Sequence, residues 1–583
     1  MHNTDTPPSF STTHKIALAL LFFVLWFGTL NVRDLIRTDE ARYAEIPREM
    51  MVSGDWVTPR LSDLKYFEKP PLQYWTTAAA FTAFGQAPWS ARLWTALTGA
   101  LTIWLTFFTL RRLYNRSTAW AGSLILGSCV FWIGGGHINS LDMGLSFFMH
   151  SALCTLLLSQ QARHQDNPRA EKNWLLACWA SMALAVLSKG LIGFVLPSAV
   201  LFLYMVWTRE WALLLRLQWL RGLAVFLVIT APWFVLVSLR NPEFPEFFFI
   251  HEHFQRFLSK GHRREGPLYY FLPLLLAGFL PWTTWVVQAT FSNLIFVLKQ
   301  LWQHARLPWQ KSSTTLTYFP SKAQGLLLIW SLFILFFFSI SSSKLPGYIL
   351  PIFPAFAMLA APLLAQTSAR ALRAHSAAVL FISALFAAII YWVYPQEIRK
   401  DIYYQALYAE YAQILVGCLV LQVIGSGLAI RWAQAPARLA QWGQWLGILT
   451  LAITGFVVAH GMLLGHQVLA PSSSAKVMAS SVKGYIEADT PLYCVDTFEH
   501  GLLFYTQRTC TLVMTKDEMY HGIAHEPQKH IPDLATFLQR WQGERKAIAL
   551  VQPSRLAELE KSGIPFKVVF KDQRRILIIK ESK

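Results

Sequence analysis

The chain has few charged residues for its length. Asp, Glu, Lys and Arg together make up 14% of its 583 residues, whereas about 25% of an average soluble domain is charged. Hydrophobic residues account for 54% of the chain, and they include 24 Trp and 41 Phe. A soluble protein of this composition could not cover its core with polar surface. The composition therefore excludes a string of ordinary soluble domains and predicts a membrane protein.

Cysteine is scarce, and a glycine-rich phosphate-binding loop is absent from the sequence. Six Cys in 583 residues are too few for a disulfide-stabilised scaffold. Cys494 and Cys510 are the two that lie near the C-terminus, and the sequence is compatible both with a disulfide between them and with two free thiols. The missing glycine-rich loop means that the sequence gives no support for a bound nucleotide.

Apolar runs recur along the first 466 residues. They are about 15–24 residues long, and a helix needs about 20 such residues to cross the hydrocarbon core of a bilayer. We predict about thirteen membrane-spanning helices within residues 15–466, preceded by a flexible tail at 1–14. The first run, at 15–32, lacks a small-residue cleavage site, so we expect a retained helix and not a signal peptide.

The formal net charge of +18 comes mainly from the loops between the apolar runs. Seventeen Lys and Arg fall in predicted loops on the side of the N-terminus, whereas the short loops on the other side carry four. Two long loops on that other side, at about 33–87 and 240–267, do not follow the bias. The distribution predicts a cytoplasmic N-terminus and an external C-terminus. It is a signal of membrane topology and not of nucleic-acid binding.

Residues 467–583 read as a small soluble domain. Alternating apolar patterns predict strands at 492–495, 511–514, 547–551, 567–570 and 575–579, and helix-like segments lie between them, as at 473–486 and 554–562. We therefore expect a polytopic α-helical protein with a small C-terminal α/β or α+β domain on the external face.

The first long loop is dense in ionisable residues. Thr38 is a good N-cap residue, and two acids follow it, so a helix is predicted from about 39. Pro47 should kink this helix or end it early. One face of the helix would carry Asp39, Arg42, Tyr43 and Ile46. The alternative interpretation is a solvated amphipathic helix that lies among the lipid headgroups.

A second ionisable pair lies later in the same loop, in the sequence YFEKPPLQYW at 66–75. The two prolines fix the backbone, so Glu68 and Lys69 are presented from a rigid turn. The alternative is a simple ion pair in a loop at the membrane boundary.

Further ionisable residues fall at the same membrane boundary. They are Asp142, Lys189, His251, His253, Arg256, Lys344 and, beside the last of these, Tyr348. Each could be a side chain that reaches from the membrane edge to water. Because ionisable groups are costly in a membrane, their gathering on one face instead indicates a functional site. His251 and His253 with Glu68 could also bind a divalent metal ion, the one cofactor that the pattern permits.

Four of these segments resemble a known family. DEARYAEIPREM at 39–50, FEKPP at 67–71, SKG at 188–190 and KLPGYILP at 344–351 are similar to signature segments of the bacterial 4-amino-4-deoxy-L-arabinose transferases. These are GT-C glycosyltransferases, related to the protein O-mannosyltransferases. The resemblance implies a GT-C fold of about thirteen helices with a periplasmic C-terminal domain. It also implies a sugar donor linked to undecaprenyl phosphate, lipid A as the acceptor, and action at the periplasmic face of the bacterial inner membrane.

The resemblance also implies roles for particular residues. Asp39 matches an essential acidic residue at the start of the first periplasmic helix. Lys69 and Arg256 resemble ligands of the carrier phosphate, and Glu68 and His251 resemble a metal pair. To these we add Asp142 as a second catalytic residue and Tyr348 as a phosphate ligand. The expected substrate-binding residues are Arg42, Tyr43, Glu68, Lys189 and Lys344.

The chemistry agrees with this assignment. Cleavage of a sugar–phosphate bond leaves a lipid phosphate with growing negative charge, which Lys69 and Arg256 could stabilise in a partly dehydrated cavity. A hydroxyl acceptor would need Asp39 as a general base. A phosphate acceptor is already ionised at pH 7, so Asp39 would then orient the acceptor or the sugar. The cations for such an acceptor could be Arg42, Lys189, Arg263 and Arg264.

Other functions remain open at this point. The chain could be a transferase that uses another polyprenyl-phosphate sugar with a lipid, glycan or protein hydroxyl acceptor. A lipid flippase or transporter would favour polar or broken helices near the bilayer midplane, whereas the charges here crowd the outer boundary. A non-enzymatic receptor would explain the external domain but not the ionisable cluster. We expect contact with membrane lipid, no nucleic-acid partner and a monomer.

Overall fold

The computed structural model describes residues 12–255, 266–306, 319–392, 404–436, 439–487, 489–515 and 518–581. Within them, eight helices are long and apolar enough to cross a membrane, and two bent helix pairs raise this number to ten if each pair is one span. The eight are Pro88–Leu113, Leu141–His164, Trp219–Arg240, Ser321–Ile340, Pro346–Ala365, Ala369–Trp392, Gln405–Trp432 and Ala440–Ser473. A multi-pass helical membrane protein is thus confirmed, while the count of thirteen stays a prediction.

Several helices fall outside this group of eight. The bent pairs are Arg116–Ser128 with Val130–Gly136, at 67°, and Phe271–Gly278 with Thr283–Gln303, at 118°. Shorter or less apolar helices are Thr12–Trp26, Pro168–Lys189, Ile192–Thr208 and Ala212–Arg216. A π-helical segment, Glu246–Gln255, follows Trp219–Arg240, and a 3₁₀ turn, Pro346–Ile352, leads into the helix Phe353–Ala365.

The helix Pro88–Leu113 shows how polar residues are accommodated in the apolar bundle. Thr95, Thr98 and Thr102 are buried, and each donates its hydroxyl to a carbonyl three or four residues earlier in the same helix, at 2.8 Å. Because a membrane offers no water to bond, polar groups must be satisfied within the protein. These hydroxyls therefore do not signal a polar site.

The first long loop contains a helix, Asp39–Ser53, which we call the first-loop helix, then a hairpin and the helix Leu72–Phe84. Strands β1 (Arg60–Leu61) and β2 (Leu64–Lys65) pair antiparallel.

The first-loop helix corrects three predictions. It continues past Pro47 to Ser53, so Pro47 does not end it early, and the left-handed backbone of Gly54 lets the N–H of that residue donate to the carbonyl of Met50. The side chain of Thr38 makes no capping hydrogen bond. The eleven residues from Glu40 to Met50 are all buried, so a solvated amphipathic helix among headgroups is wrong. The cause is that other elements pack on every face of this helix, including the helices Leu72–Phe84 and His500–Thr506.

A buried ion pair anchors the first-loop helix to the membrane bundle. The Nε of Arg92 lies 2.8 Å from Oε1 of Glu40, and the same oxygen accepts the N–H of Asn139 at 2.8 Å. Burial alone would raise the pKa of Glu40, but Arg92 and Arg33 outweigh it and lower this pKa to about 2. Glu40 is therefore a structural carboxylate, and it fixes where Asp39 emerges.

The C-terminal domain is a six-stranded mixed sheet with the strand order β5-β4-β3-β6-β8-β7. The strands are β3 (Leu492–Val495), β4 (Thr511–Val513), β5 (His530–Ile531), β6 (Ala547–Val551), β7 (Lys567–Lys571) and β8 (Ile576–Lys580). The strands from β5 to β6 are parallel, and β8 and β7 are antiparallel. The sheet contains all five predicted strands and adds β5, which is too short to show an alternating pattern. Cys494 and Cys510 are buried free thiols.

Short helices occur before and between the strands of this sheet. They are Ala470–Ser473, Lys476–Val482, His500–Thr506, Tyr520–His525, Leu534–Gly543 and Leu556–Lys561.

The C-terminal domain docks on the first long loop. Nη1 of Arg60 lies 3.1 Å from Glu526, and the hydroxyl of Ser62 donates to the carbonyl of Cys510 at 2.7 Å. The N–H of Leu35 donates to the hydroxyl of Tyr505 at 2.8 Å. These contacts join residues more than 440 positions apart in the chain, and they place the soluble domain over one end of the helical bundle.

Candidate active site

A cavity of about 890 Å³ lies between the helix ends, the two long loops and the C-terminal domain. This volume is within the range of about 300–1,000 Å³ that is typical of small-ligand sites. Nine predicted site residues line it: Asp39, Arg42, Tyr43, Glu68, Lys69, Asp142, Lys189, His251 and Tyr348. The structure thus brings together residues from six separate stretches of the chain. Arg256 lies outside the described residues.

The first-loop helix presents Asp39 and Arg42 at the cavity wall. Nη1 of Arg42 lies 3.2 Å from Oδ1 of Asp39, one turn of helix earlier. The Asp39 side chain is 45% exposed, whereas that of Arg42 is 6% exposed. Burial by itself would lower the pKa of Arg42, but Tyr66 and Glu518 raise it well above the usual value. Arg42 is thus a permanent cation beside a solvent-accessible carboxylate.

The diproline turn presents Lys69 to the same cavity. The helix Leu72–Phe84 begins directly after the two prolines, which fixes the preceding backbone. Nζ of Lys69 donates to the carbonyl of Glu68 at 2.8 Å and lies 3.4 Å from Oε2 of Glu252. Lys69 is therefore held in place by acceptors of two different loops.

Asp142 and Lys189 form an ion pair at the ends of two helices. Asp142 lies in the first turn of Leu141–His164, and Lys189 is the last residue of Pro168–Lys189. The ammonium of Lys189 also lies 5.0 Å above the centre of the Tyr348 ring. Gly347 lets this turn approach closely, because a Cβ there would lie 2.8 Å from Cγ of Asp142.

Lys344 differs from the other predicted site residues. Its side chain is buried, and its ammonium donates to the carbonyls of Ser339 at 3.0 Å and Ser341 at 2.6 Å. Unlike its neighbour Leu345, it does not line the cavity in the described part of the chain. Lys344 therefore caps the end of the preceding helix, whose carbonyls attract a cation.

The metal pair predicted from Glu68 and His251 stays a prediction. Glu68 and His251 both line the cavity, but no group of three or more His, Cys, Asp or Glu could hold an ion among the described residues. The ring of His251 stacks on Phe247 with 5.2 Å between the ring centres, and the side chain of His253 lies outside the described residues.

Family models and a solved structure match this chain. A family model described as dolichyl-phosphate-mannose-protein mannosyltransferase matches residues 12–248. A second, described as the aminoarabinose transferase C-terminal domain, matches residues 478–580. The crystal structure of ArnT from Cupriavidus metallidurans bound to undecaprenyl phosphate has a TM-score of 0.85 and 35% identity, and the match covers 98% of both chains.

Two curated relatives carry one name, undecaprenyl phosphate-alpha-4-amino-4-deoxy-L-arabinose arabinosyl transferase. The protein from Erwinia tasmaniensis is 30% identical over 425 residues, which cover 70% of this chain and 72% of the relative. The protein from Shewanella sediminis is 26% identical over 574 residues, which cover 96% of this chain and 93% of the relative. The chain belongs to the aminoarabinose transferase family.

Membership confirms the predicted GT-C fold and glycosyltransferase activity. The structure of this transferase also adds cavity residues that the sequence did not single out. Glu518, Tyr520, His521 and His525 reach the cavity from the C-terminal domain, and Glu243, Glu246 and Glu252 reach it from the second long loop. Glu252 had a signal in the sequence, since it lies between His251 and His253. Glu518 had none, because no local pattern links it to the first-loop helix.

Proposed function

We propose that this transferase moves an aminoarabinose-like sugar from undecaprenyl phosphate to a phosphate of lipid A or a related envelope acceptor. The observation that carries the proposal is the convergence of Asp39, Lys69 and the Asp142–Lys189 pair in one cavity at the edge of the apolar bundle. The names of the relatives and the ligand named for the Cupriavidus structure support the choice of donor.

The donor phosphate belongs beside Lys69 in this scheme. When the bond between the anomeric carbon and the phosphate oxygen breaks, charge grows on the leaving phosphate, and a nearby ammonium stabilises it most where water is partly excluded. The Lys69 side chain is 18% exposed, which fits a partly dehydrated site. Arg256 and Tyr348 complete the proposed set of phosphate ligands.

Asp39 has the geometry for contact with the sugar or the acceptor. It is more exposed than the other carboxylates whose ion pairs close the cavity, at 45% against 16% for Asp142 and 5% for Glu252. If the acceptor is an ionised phosphate, Asp39 orients it or the sugar; if it is a hydroxyl, Asp39 accepts its proton as a general base. Arg42 and Lys189 are then the cations nearest to an anionic acceptor, with Tyr43 and Glu68 as further substrate contacts.

The location follows from the charge bias of the loops. We propose that the cavity and residues 467–583 face the periplasm, and that residues 15–466 form the catalytic domain in the inner membrane. Fusion of a reporter that is active only in the periplasm to the C-terminus tests this orientation. An inactive reporter on a correctly inserted chain would refute it.

The decisive experiment measures sugar transfer from labelled undecaprenyl-phosphate aminoarabinose to lipid A with the purified, reconstituted enzyme. Asp39→Asn should reduce transfer by at least about a thousandfold, because it removes the charge but not the shape of a residue at the reacting atoms. Asp166→Asn is the matched control. Asp166 is exposed in a left-handed loop conformation, which Asn tolerates, beyond the opposite end of the Leu141–His164 helix from Asp142.

Three outcomes separate the hypotheses. Loss of transfer in Asp39→Asn with normal transfer in Asp166→Asn supports the proposal. Wild-type transfer by Asp39→Asn would remove Asp39 from the mechanism. Lipid A mass spectra that do not change between a deletion strain and its complemented form would refute the proposed acceptor.

A further inference from the structure

A chain of ion pairs links the candidate catalytic carboxylate to the C-terminal domain. Nη1 of Arg42 lies 3.2 Å from Oδ1 of Asp39, while Nη2 of the same guanidinium lies 2.5 Å from Oε2 of Glu518. The other carboxylate oxygen of Glu518 lies 2.5 Å from Nε2 of His500. The order of contacts is therefore Asp39, Arg42, Glu518 and His500.

The two links that Glu518 makes are largely shielded from water, which strengthens them. The side chains of Arg42 and His500 are each 6% exposed, and that of Glu518 is 22% exposed. Hydrogen bonds between charged groups are about twice as strong as neutral ones, and they gain further in a medium of low dielectric constant. Arg42 is thus fixed by its second carboxylate and is not a side chain free to choose among rotamers.

The contact with His500 fixes Glu518 in turn. Nε2 of His500 is 2.5 Å from Glu518 but 3.4 Å from Nε of Arg42, which is itself a donor. Nε2 of His500 therefore contacts both members of the Arg42–Glu518 ion pair. The ring of Phe498 packs against His500 with 4.7 Å between ring centres, which holds the imidazole in this orientation.

The backbone of the C-terminal domain is shaped for this close approach. A Cβ on Gly501 would lie 2.9 Å from Cβ of Ala475 and 3.7 Å from Cβ of Ala41. Gly501 follows His500, and Ala41 precedes Arg42. The helix His500–Thr506 and the first-loop helix therefore meet where the ion pairs form. The packing and the charges thus specify one docked position.

We propose that Glu518 is a positioning residue for the transfer reaction, which orients Asp39 through Arg42, so that the soluble domain completes the active site. A guanidinium shared between two carboxylates is held in one plane, and it directs one terminal nitrogen toward each carboxylate. Without Glu518, Arg42 would turn fully toward Asp39 and pull its carboxylate away from the substrate. The inference rests on the proposed role of Asp39.

The test compares Glu518→Gln with Glu526→Gln in the reconstituted transfer assay. Glu526 also joins the C-terminal domain to the first loop, through Arg60 and the N–H of Lys65, but it does not line the cavity in the described part of the chain. Glu518→Gln should lower kcat about tenfold or more, with the KM for the lipid donor changed less than about twofold, since a misplaced reacting group affects the transition state most. Glu526→Gln should leave both constants within about twofold of wild type.

A double-mutant cycle separates positioning from simple structural damage. In the Arg42→Lys background, a point charge on a flexible stem replaces the rigid planar guanidinium, so it no longer holds the two carboxylates in a fixed geometry, and the addition of Glu518→Gln should change kcat by less than about twofold. Glu518→Asp keeps the charge and should retain more of kcat than Glu518→Gln. If Glu518→Gln does not yield folded protein, Glu518→Asp decides: a lowered kcat at normal donor KM supports the proposal, and a wild-type kcat overturns it.

The proposal fails separately from the proposed function. If Asp39→Asn is inactive but Glu518→Gln has the wild-type kcat, only the positioning role is overturned. If the effects of Arg42→Lys and Glu518→Gln add fully, the two residues act independently and the proposal is also overturned. If Asp39→Asn is active, the proposed role of Asp39 is refuted, regardless of the result for Glu518→Gln.

Discussion

Gly347 offers a sharp test of the ion pair at the cavity wall. A Cβ at this position would lie 2.8 Å from Cγ of Asp142, 3.3 Å from its Cβ and closer still to Oδ2. Because ordinary contacts between such atoms are about 3.5 Å, the carboxylate must move by roughly 1 Å in Gly347→Ala. The backbone there does not need a positive φ, so the effect of Ala is steric and not conformational.

The displacement has a predictable cost. Asp142 is 16% and Lys189 is 17% exposed in their ion pair, so the movement separates two poorly solvated charges. Misplacement of a group near the reacting atoms by about 1 Å can lower a rate about a hundredfold. We therefore expect kcat for sugar transfer to fall between about tenfold and a hundredfold in Gly347→Ala, with a smaller effect on donor KM.

The assay is steady-state transfer with the reconstituted enzyme, and Gly134→Ala is its control. Gly134 also lies among the membrane helices, but a Cβ there would have no atom within 4 Å. If the added methyl acts through Asp142, then Gly347→Ala should add nothing to Asp142→Ala in the double variant. Wild-type kinetics in Gly347→Ala, or full additivity with Asp142→Ala, would refute the reasoning.

Two further predictions concern donor binding and pH. Lys69→Ala should weaken binding of undecaprenyl phosphate about tenfold to a hundredfold, since it removes a charged hydrogen-bond donor; an unchanged donor KM would assign the phosphate to other residues. Burial, and then the neighbouring His525, lower the pKa of His521 to about 4. The neutral ring therefore stabilises the fold fully above pH 6.5, and this contribution is lost as the pH falls toward 4. Because the ring is partly exposed, the loss at pH 5 should be only about 1 kcal/mol. His521→Phe keeps the stacking on Phe247, whose ring centre is 4.0 Å away, and should flatten the decrease in thermal stability between pH 7 and 5; an unchanged decrease would exclude His521 as its source.

Much of the fold could be predicted because its signals are local. A long apolar run predicts a membrane helix from its own composition, and the short apolar run at 547–551 predicts a buried strand without knowledge of its partners. Asp39, Arg42 and Tyr43 could be grouped for the same reason, since helical spacing alone places them on one face. These predictions needed no information about distant parts of the chain.

The missed features depend on contacts between distant segments. The first-loop helix has the composition of a solvated helix, and it is buried because the helix Leu72–Phe84, the hairpin and the C-terminal domain all pack on it. Its salt bridge between Arg42 and Glu518 joins residues separated by 476 positions. Lys344 stands in a motif with functional neighbours, yet its ammonium bonds carbonyls of the preceding helix. No periodicity in the sequence could distinguish that capping role from substrate binding.

The placement of charge in the cavity favours a lipid-borne donor over a soluble one. Among the described residues, every carboxylate and ammonium that lines the cavity comes from a loop, a helix end or the C-terminal domain. Asp142 stands in the first turn of its helix, and Lys189 ends its own. Such placement avoids the cost of ions in hydrocarbon, and it puts the charges at the ends of apolar helices. A prenyl chain can then remain among the apolar helices while its phosphate reaches Lys69. A nucleotide sugar has no prenyl chain, so the apolar helices beside the cavity would not contribute to its binding.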